Sequence, residues 1–217
     1  MLDRLLNLYR GVVGHVVVVV GPTFAADVER HLRMQGAADV EIAVQRSPTG
    51  MLDAILLGLP AAERDGPSSV WVTWCDQVAV HHRTIERLAE RTLPDHSDAL
   101  VLPTAIRSDP YIHLERDESG RIVRIRHRRE GDAMPEIGES DMGLFAMSPR
   151  GYADLLPQFA ADGEIGRGTG ERNFLPFIPW VAARARVATF PCEDPSEAVG
   201  INTPEELALV ERYLERG

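Results

Sequence analysis

The chain has 217 residues, 44% of them hydrophobic, with a formal net charge of −10 and a pI near 5.2; that length holds one domain or a domain with a small lobe, and the acidic balance argues against nucleic acid as a partner. Cys75 and Cys192 provide neither a disulfide framework nor zinc spacing and fit a reducing cytoplasm. The most apolar run, Val16–Val20, is far too short to span a bilayer, and Asp3 and Arg4 break the layout of a signal peptide.

Leu2, Leu5, Leu6 and Tyr9 share one helical face, so the chain opens inside a helix. His15 to Val20 reads as a buried strand of β-branched residues. Gly21-Pro22-Thr23 turns it into a helix that runs to Met34 and ends at Gly36. A second strand spans 40–44. Ser47-Pro48-Thr49-Gly50 then leads into a helix carrying Leu52, Ile55, Leu56 and Leu59. Val70 to Val78 reads as a central strand that stops on a carboxylate, Asp76. Ile85 and Leu88 face inward from the next helix, and residues 99–103 form another apolar strand.

The pattern then changes. Tyr111–Glu115 and Arg121–Arg128 flank the turn Asp117-Glu118-Ser119-Gly120, an antiparallel hairpin. Residues 142–147 form a strand, Ser148-Pro149 opens a helix, and the Gly-rich stretch 161–170 is a surface loop. A partly helical stretch spans 174–183, and 186–190 is the last strand. Thr203-Pro204-Glu205-Glu206 is a capping box opening the terminal helix. Strands alternating with helices imply a single three-layer α/β/α Rossmann-like domain over 1–217, with a mostly parallel sheet and a hairpin insertion.

Two polar candidates fall at strand ends, Asp76 and Asn202. In open α/β sheets ligands bind beyond the carboxyl ends of strands, and Asp and Asn oxygens are hard ligands suited to Mg²⁺. Thr49-Gly50 precedes a helix N-terminus, where free N–H groups can receive a carbonyl or anion. Cys75 reads as inert core. His81-His82 has no third ligand placed by spacing. The basic run Arg124, Arg126, His127, Arg128, Arg129 reads as a solvated hairpin edge.

In this order, Pro48-Thr49-Gly50, Trp74-Cys75-Asp76-Gln77, Tyr111-Ile112-His113 with Gly120-Arg121-Ile122-Val123, Glu139-Ser140-Asp141-Met142-Gly143, Gly170-Glu171 and Glu197-Ala198-Val199-Gly200-Ile201-Asn202 resemble a family. It is that of the nucleotidyltransferases with the nucleotide-diphospho-sugar transferase fold. The uridylyltransferase domain that makes UDP-N-acetylglucosamine and the molybdenum-cofactor nucleotidyltransferases belong to it. The resemblance implies an NTP substrate, a phosphorylated small-molecule acceptor and Mg²⁺, with release of pyrophosphate. It implies that Pro48, Thr49 and Gly50 touch the nucleotide, and that Asp76 is catalytic and holds the metal with Asn202. Ile112, His127 and Asp141 fall at the acceptor positions.

The chain departs from the family in three places. Ile112 stands where the family has a backbone-contacting Gly, and His127 stands where it has a sugar-binding Glu. Both point to an acceptor other than N-acetylglucosamine 1-phosphate. The family's opening strand, Gly-rich phosphate loop and lysine have no counterpart here, so the chain reads as N-terminally truncated and is expected to turn over poorly by itself. The absent strand would leave a slot between 15–20 and 70–75, to be closed up or filled by a strand from a second copy or a partner chain. Two rivals remain. One is a non-catalytic nucleotide- or partner-binding module, which the missing loop favours. The other is a glycosyltransferase of the same fold, against which stands the lack of an Asp-x-Asp pair at Asp76.

Overall fold

The computed structural model describes residues 1–37, 40–93, 97–163 and 165–215. Helices and strands interleave in the order the apolar pattern predicts: α1 (Leu2–Tyr9), β1 (Val16–Val20), α2 (Pro22–Met34), β2 (Val40–Val44), α3 (Met51–Ala62), β3 (Val70–Thr73), α4 (His82–Arg91), β4 (Leu100–Ser108), β5 (Ile112–Arg116) and β6 (Ile122–His127). β7 (Ile137–Asp141), β8 (Leu144–Met147), a π-helical turn (Arg150–Leu155), α5 (Leu156–Ala161), α6 (Phe177–Ala182), β9 (Val187–Pro191) and α7 (Pro204–Leu214) complete it.

A five-stranded sheet runs β3-β8-β4-β7, with β9 also paired to β4. β9 is parallel to β4, whereas β7 and β8 run antiparallel to their neighbours. β4 organises this sheet. Its Leu100 and Val101 pair with β8, and its Thr104 to Ser108 pair with β7. β5 and β6 form the expected hairpin, bulged between Glu115 and Arg116. The bulge interrupts the alternation of faces along β6: Ile122 is buried and Val123 exposed, while Ile125 and His127 are half-buried.

Pleating sends alternate side chains to opposite faces. Leu100, Leu102, Phe145 and Met147 join one core under α3, α5 and α6, around Phe174, Phe177 and Ile178. Val101, Leu144 and Ala146 join the other, with Leu5 and Tyr9 of α1, Ile85 and Leu88 of α4 and Val210 of α7. Helices therefore cover both faces, as in a Rossmann-like α/β/α sandwich, and the sheet between them is mixed.

β1 and β2 stand apart as a two-stranded parallel sheet. Among the described residues β1 pairs only with β2, and β3 pairs only with β8. Val20 gives its carbonyl to Gln45 N, so by alternation Val17 and Val19 aim their backbone groups away from β2. Trp74 N donates to Gly143 O, so Trp71 and Thr73 likewise aim theirs away from β8. The two open edges line one cavity of about 1630 Å³, with Leu2, Leu6 and Tyr9 on one side and Ile55, Gly58 and Leu59 on the other. Val16–Val20, which reads as a buried strand, is only half-buried along its whole length. The neighbours have not closed up.

Candidate active site

β3 stops at Thr73, earlier than the sequence reading, and Asp76 lies in the turn beyond its carboxyl end. Gly143 makes that turn possible. Its φ is 62°, and a Cβ there would collide with Trp74 and come within 2.7 Å of Gln77 Cγ. Cys75, expected in the core, is exposed because it falls in this turn; the two cysteines are free thiols.

Asn202 arrives from a distant part of the chain. Ile201 N donates to Asp76 O at 3.2 Å, and Asn202 Nδ2 lies 3.4 Å from Asp76 Oδ2. Gly200 permits the approach, since a Cβ would sit 2.7 Å from Asp76 Oδ2. Glu197 holds the segment in place. It is 1% exposed and accepts from His81 N at 2.8 Å and Thr84 Oγ1 at 2.6 Å. Arg107, at the far end of β4, donates to Ala198 O at 2.7 Å. Glu206 caps α7 by accepting from Asn202 N and Thr203 N.

Asp141 ends β7 beside this pair. Its Oδ1 accepts from Gly143 N at 2.7 Å, and its Oδ2 is enclosed without a partner. Burial, reinforced by the Asp76 charge, pushes its carboxyl up to about 6. Burial also raises Asp76, opposed by its hydrogen bonds and reinforced by Glu206. A buried carboxylate raised by a neighbouring one, with an oxygen that has no partner among the described residues, is an arrangement that could accept a cation. Asp76 and the Asn202 carboxamide carry oxygens of the hard type that Mg²⁺ accepts while keeping its waters, and they could hold such an ion. Among the described residues no three His, Cys, Asp or Glu side chains come together as a metal cage. His81 instead caps α4 through Arg83 N.

The acceptor candidates are joined to Asp141. Ser140 Oγ donates to Ile112 O at 2.5 Å, and Ile112 pairs across the hairpin with His127. The His127 ring packs edge-on to Tyr111, centroids 5.3 Å apart, and burial lowers its pKa. Tyr111, Ile112, His127 and Asp141 line the same cavity as Asp76 and Asn202. Pro48 and Gly50 line it too. Thr49 gives its carbonyl to Arg172 N at 2.8 Å. Gly50, at φ 124°, abuts the Arg172 backbone so closely that a Cβ would clash. The turn ahead of α3 is thereby fixed to the 171–173 segment, and the Arg172 side chain is tied to Asp53.

Several contributors were not legible in advance. Glu197, Arg107 and Arg172 act through contacts distant in sequence, which no local spacing signals. Glu130 accepts from Gly168 N at 2.6 Å, Thr169 Oγ1 at 2.7 Å and Asn173 Nδ2 at 2.9 Å, pinning the Gly-rich stretch read as a plain surface loop; Glu164 of that stretch lies outside the described residues. Gln77 is buried in the same turn as Asp76, its Oε1 unpartnered.

Comparison with known proteins gives the chain's family. Residues 1–164 match the MobA-like NTP transferase domain. The chain is 30% identical over 224 residues to the bifunctional protein GlmU of Pelotomaculum thermopropionicum, covering 100% of this chain and 46% of that one. It is 29% identical over 202 residues to GlmU of Paraburkholderia phytofirmans, covering 91% and 42%. The GlmU of Pseudomonas aeruginosa is 26% identical over 209 residues, covering 94% and 41%. The chain thus spans somewhat under half the length of these curated relatives. With the family match extending over most of the chain and the sandwich placing its polar cleft at strand ends, the chain belongs to the MobA-like NTP transferase domain family.

Proposed function

We propose that this chain is a nucleotidyltransferase domain that joins a nucleotidyl group from an NTP to a phosphorylated small-molecule acceptor. The observation that carries this reading is the convergence of Asp76, Asn202 and Asp141 at one point of the cleft, between the Gly50 turn and the hairpin. A phosphate oxygen of the acceptor attacks the α-phosphorus in line; the new P–O bond forms as the bond to the β-phosphate oxygen breaks, and pyrophosphate leaves. Asp76 and Asn202 would hold Mg²⁺, which would supply charge neutralisation on the phosphates. The chain's own groups position the reactants. Pro48, Thr49 and Gly50 form the nucleotide end, and Ile112, His127 and Asp141 form the acceptor end. His127 can donate where a carboxylate could only accept, which favours an acceptor other than N-acetylglucosamine 1-phosphate. The free thiols suit a reducing, cytoplasmic setting, and among the described residues no helix is long and apolar enough to cross a membrane.

The open slot belongs to this reading. Among the described residues, the backbone N–H and C=O groups of Val17, Val19, Trp71 and Thr73 face it without strand partners, and both its walls are apolar. Such edges are completed by an added strand. An extended, β-branched segment contributed from outside the described residues fills it, and the loop that follows that segment brings phosphate-binding groups to Asp76. A second reading is favoured by the same opening: without that segment the chain binds a nucleotide or a partner and does not turn over.

Calorimetric titration of NTPs with and without Mg²⁺ tests the site. Asp76→Ala is expected to abolish the Mg²⁺-dependent part of binding while preserving the fold, because the side chain stands in the cleft and outside both cores. Unchanged Mg²⁺-dependent affinity in that variant would remove Asp76 from the site.

A further inference from the structure

The hairpin concentrates arginines, and nearly all of them are matched. Arg116 pairs with Glu139, Arg121 with Asp117, Arg124 with Asp132, Arg126 with Glu115 and Arg128 with Asp109. Arg129 follows directly, lines the cleft and has no ion pair or side-chain hydrogen bond among the described residues. Its neighbour Glu130 does not neutralise it, since that carboxylate is engaged by Gly168, Thr169 and Asn173. Asp132 is engaged as well, by Arg124 and by His127 N at 2.9 Å. The Arg129 carbonyl lies against Gly168, where a Cβ would collide, so the backbone at this corner is fixed. Arg107, the other arginine lining the cleft, is committed to Ala198 O. In a chain of net charge −10, an unmatched guanidinium beside His127 is a local exception.

The geometry points to a carboxylate-recognition corner made by Arg129 and His127, which selects an acceptor bearing a second anionic group in addition to its phosphate. The inference rests on the nucleotidyltransferase reading and specifies its substrate class: an acidic sugar phosphate of the uronic acid type. The guanidinium presents a planar fork that a carboxylate accepts in bidentate fashion, and the His127 ring adds a polar contact. The corner is set off from the metal end. Asp141 stands beside Asp76, Ser140 joins Asp141 to Ile112, and His127 lies across the hairpin from Ile112, with Arg129 beyond it. An acceptor with its phosphate at Asp76 and its ring over Asp141 would therefore direct its far substituent to Arg129.

Glucose 1-phosphate and glucuronic acid 1-phosphate differ in that substituent alone, a hydroxymethyl against a carboxylate. Their affinities for the native chain and for Arg129→Gln and Arg129→Lys, measured by calorimetry at low salt, decide the matter. Because Arg129 is exposed and unpaired, its replacement leaves the fold intact. The native chain is expected to bind the acidic sugar on the order of tenfold more tightly, with the preference shrinking as salt rises. Arg129→Gln should erase the preference without weakening the neutral sugar, and Arg129→Lys should keep only part of it. Equal affinity in the native chain, no binding of either sugar, or equal weakening of both by Arg129→Gln would overturn the inference; the last result would assign Arg129 to the shared phosphate. Pyrophosphate release run beside the titrations separates the two claims. Selective binding without release in a chain completed by a slot strand and phosphate loop leaves the corner standing and removes nucleotidyl transfer.

Discussion

β1 and β4 are both apolar, β-branched strands, yet they live in different surroundings. Residues 100–105 of β4 are buried without exception, with partners on both edges and helices on both faces. Every residue of β1 is half-buried, with a partner on one edge. Composition does not separate them, since a run of five valines is at least as suited to a sheet centre as Leu-Val-Leu-Pro-Thr-Ala. The difference is that the second edges of β1 and β3 face a shared cavity instead of a paired strand among the described residues. A strand's sequence does not record how many of its edges are paired, because that depends on neighbours distant in sequence. The candidate residues divide along the same line: Asp141 ends β7 of the five-stranded sheet and Asp76 lies beyond the end of β3, while the open edges of β1 and β3 line the cavity.

The contrast can be broken first by truncating one side chain in the five-stranded sheet and one in β1. Phe145 on β8 is fully buried among Trp74 and Phe174, so Phe145→Ala should cost about 3–5 kcal/mol. Val18→Ala in β1 should cost about 1 kcal/mol or less, because the side chain is only half-buried. Urea unfolding of both variants checks this, and comparable losses would show β1 to be a finished strand.

Next in size is Glu197, which joins the last segment of the chain to the turn after β3. Glu197→Ala leaves His81 N and Thr84 Oγ1 without their buried acceptor and should cost about 2–4 kcal/mol. It should also weaken Mg²⁺-dependent nucleotide binding, since Asn202 loses its support. Full stability in the variant would show that the stitch is not needed.

The smallest effect concerns Asp141, and it sharpens the comparison by locating strain within the finished half. Its folded pKa, about 6, lies above the ordinary value of 3.8. The folded protein therefore holds this proton longer than the unfolded chain does. The favourable contribution is complete below the unfolded value and is lost as pH rises through about 6. Asp141→Asn should accordingly stabilise the chain by about 1–3 kcal/mol at pH 8 and by little at pH 4. Thermal unfolding across that range measures it; a gain independent of pH would show that desolvation of the carboxylate is not the cause.

Element order was legible because helical stripes and β-branched runs are local signals, and the capping box at Thr203 and Glu206 forms as its spacing predicts. β7 was not, because Glu139-Ser140-Asp141 reads as polar and owes its strand to pairing with Thr104, Ala105 and Ile106. Asp76 was visible as a carboxylate closing an apolar run, and Asn202 came with the motif set. Glu197 and Arg107, which bring the two together, were hidden because their partners are far away in sequence. Arg129 was hidden for another reason. The sequence shows a run of arginines, and only the pairing of the others sets this one apart.

The central claim is that the acceptor and metal half is complete and waits on the slot for phosphate chemistry. Pyrophosphate release from each NTP, with a panel of acceptor phosphates, tests it most directly when run on residues 1–217 alone and on the same residues preceded by a β-strand, a Gly-rich loop and a lysine. The account predicts little or no release from the first and turnover on the order of 1–1000 per second from the second. Turnover at such rates by residues 1–217 alone would contradict it.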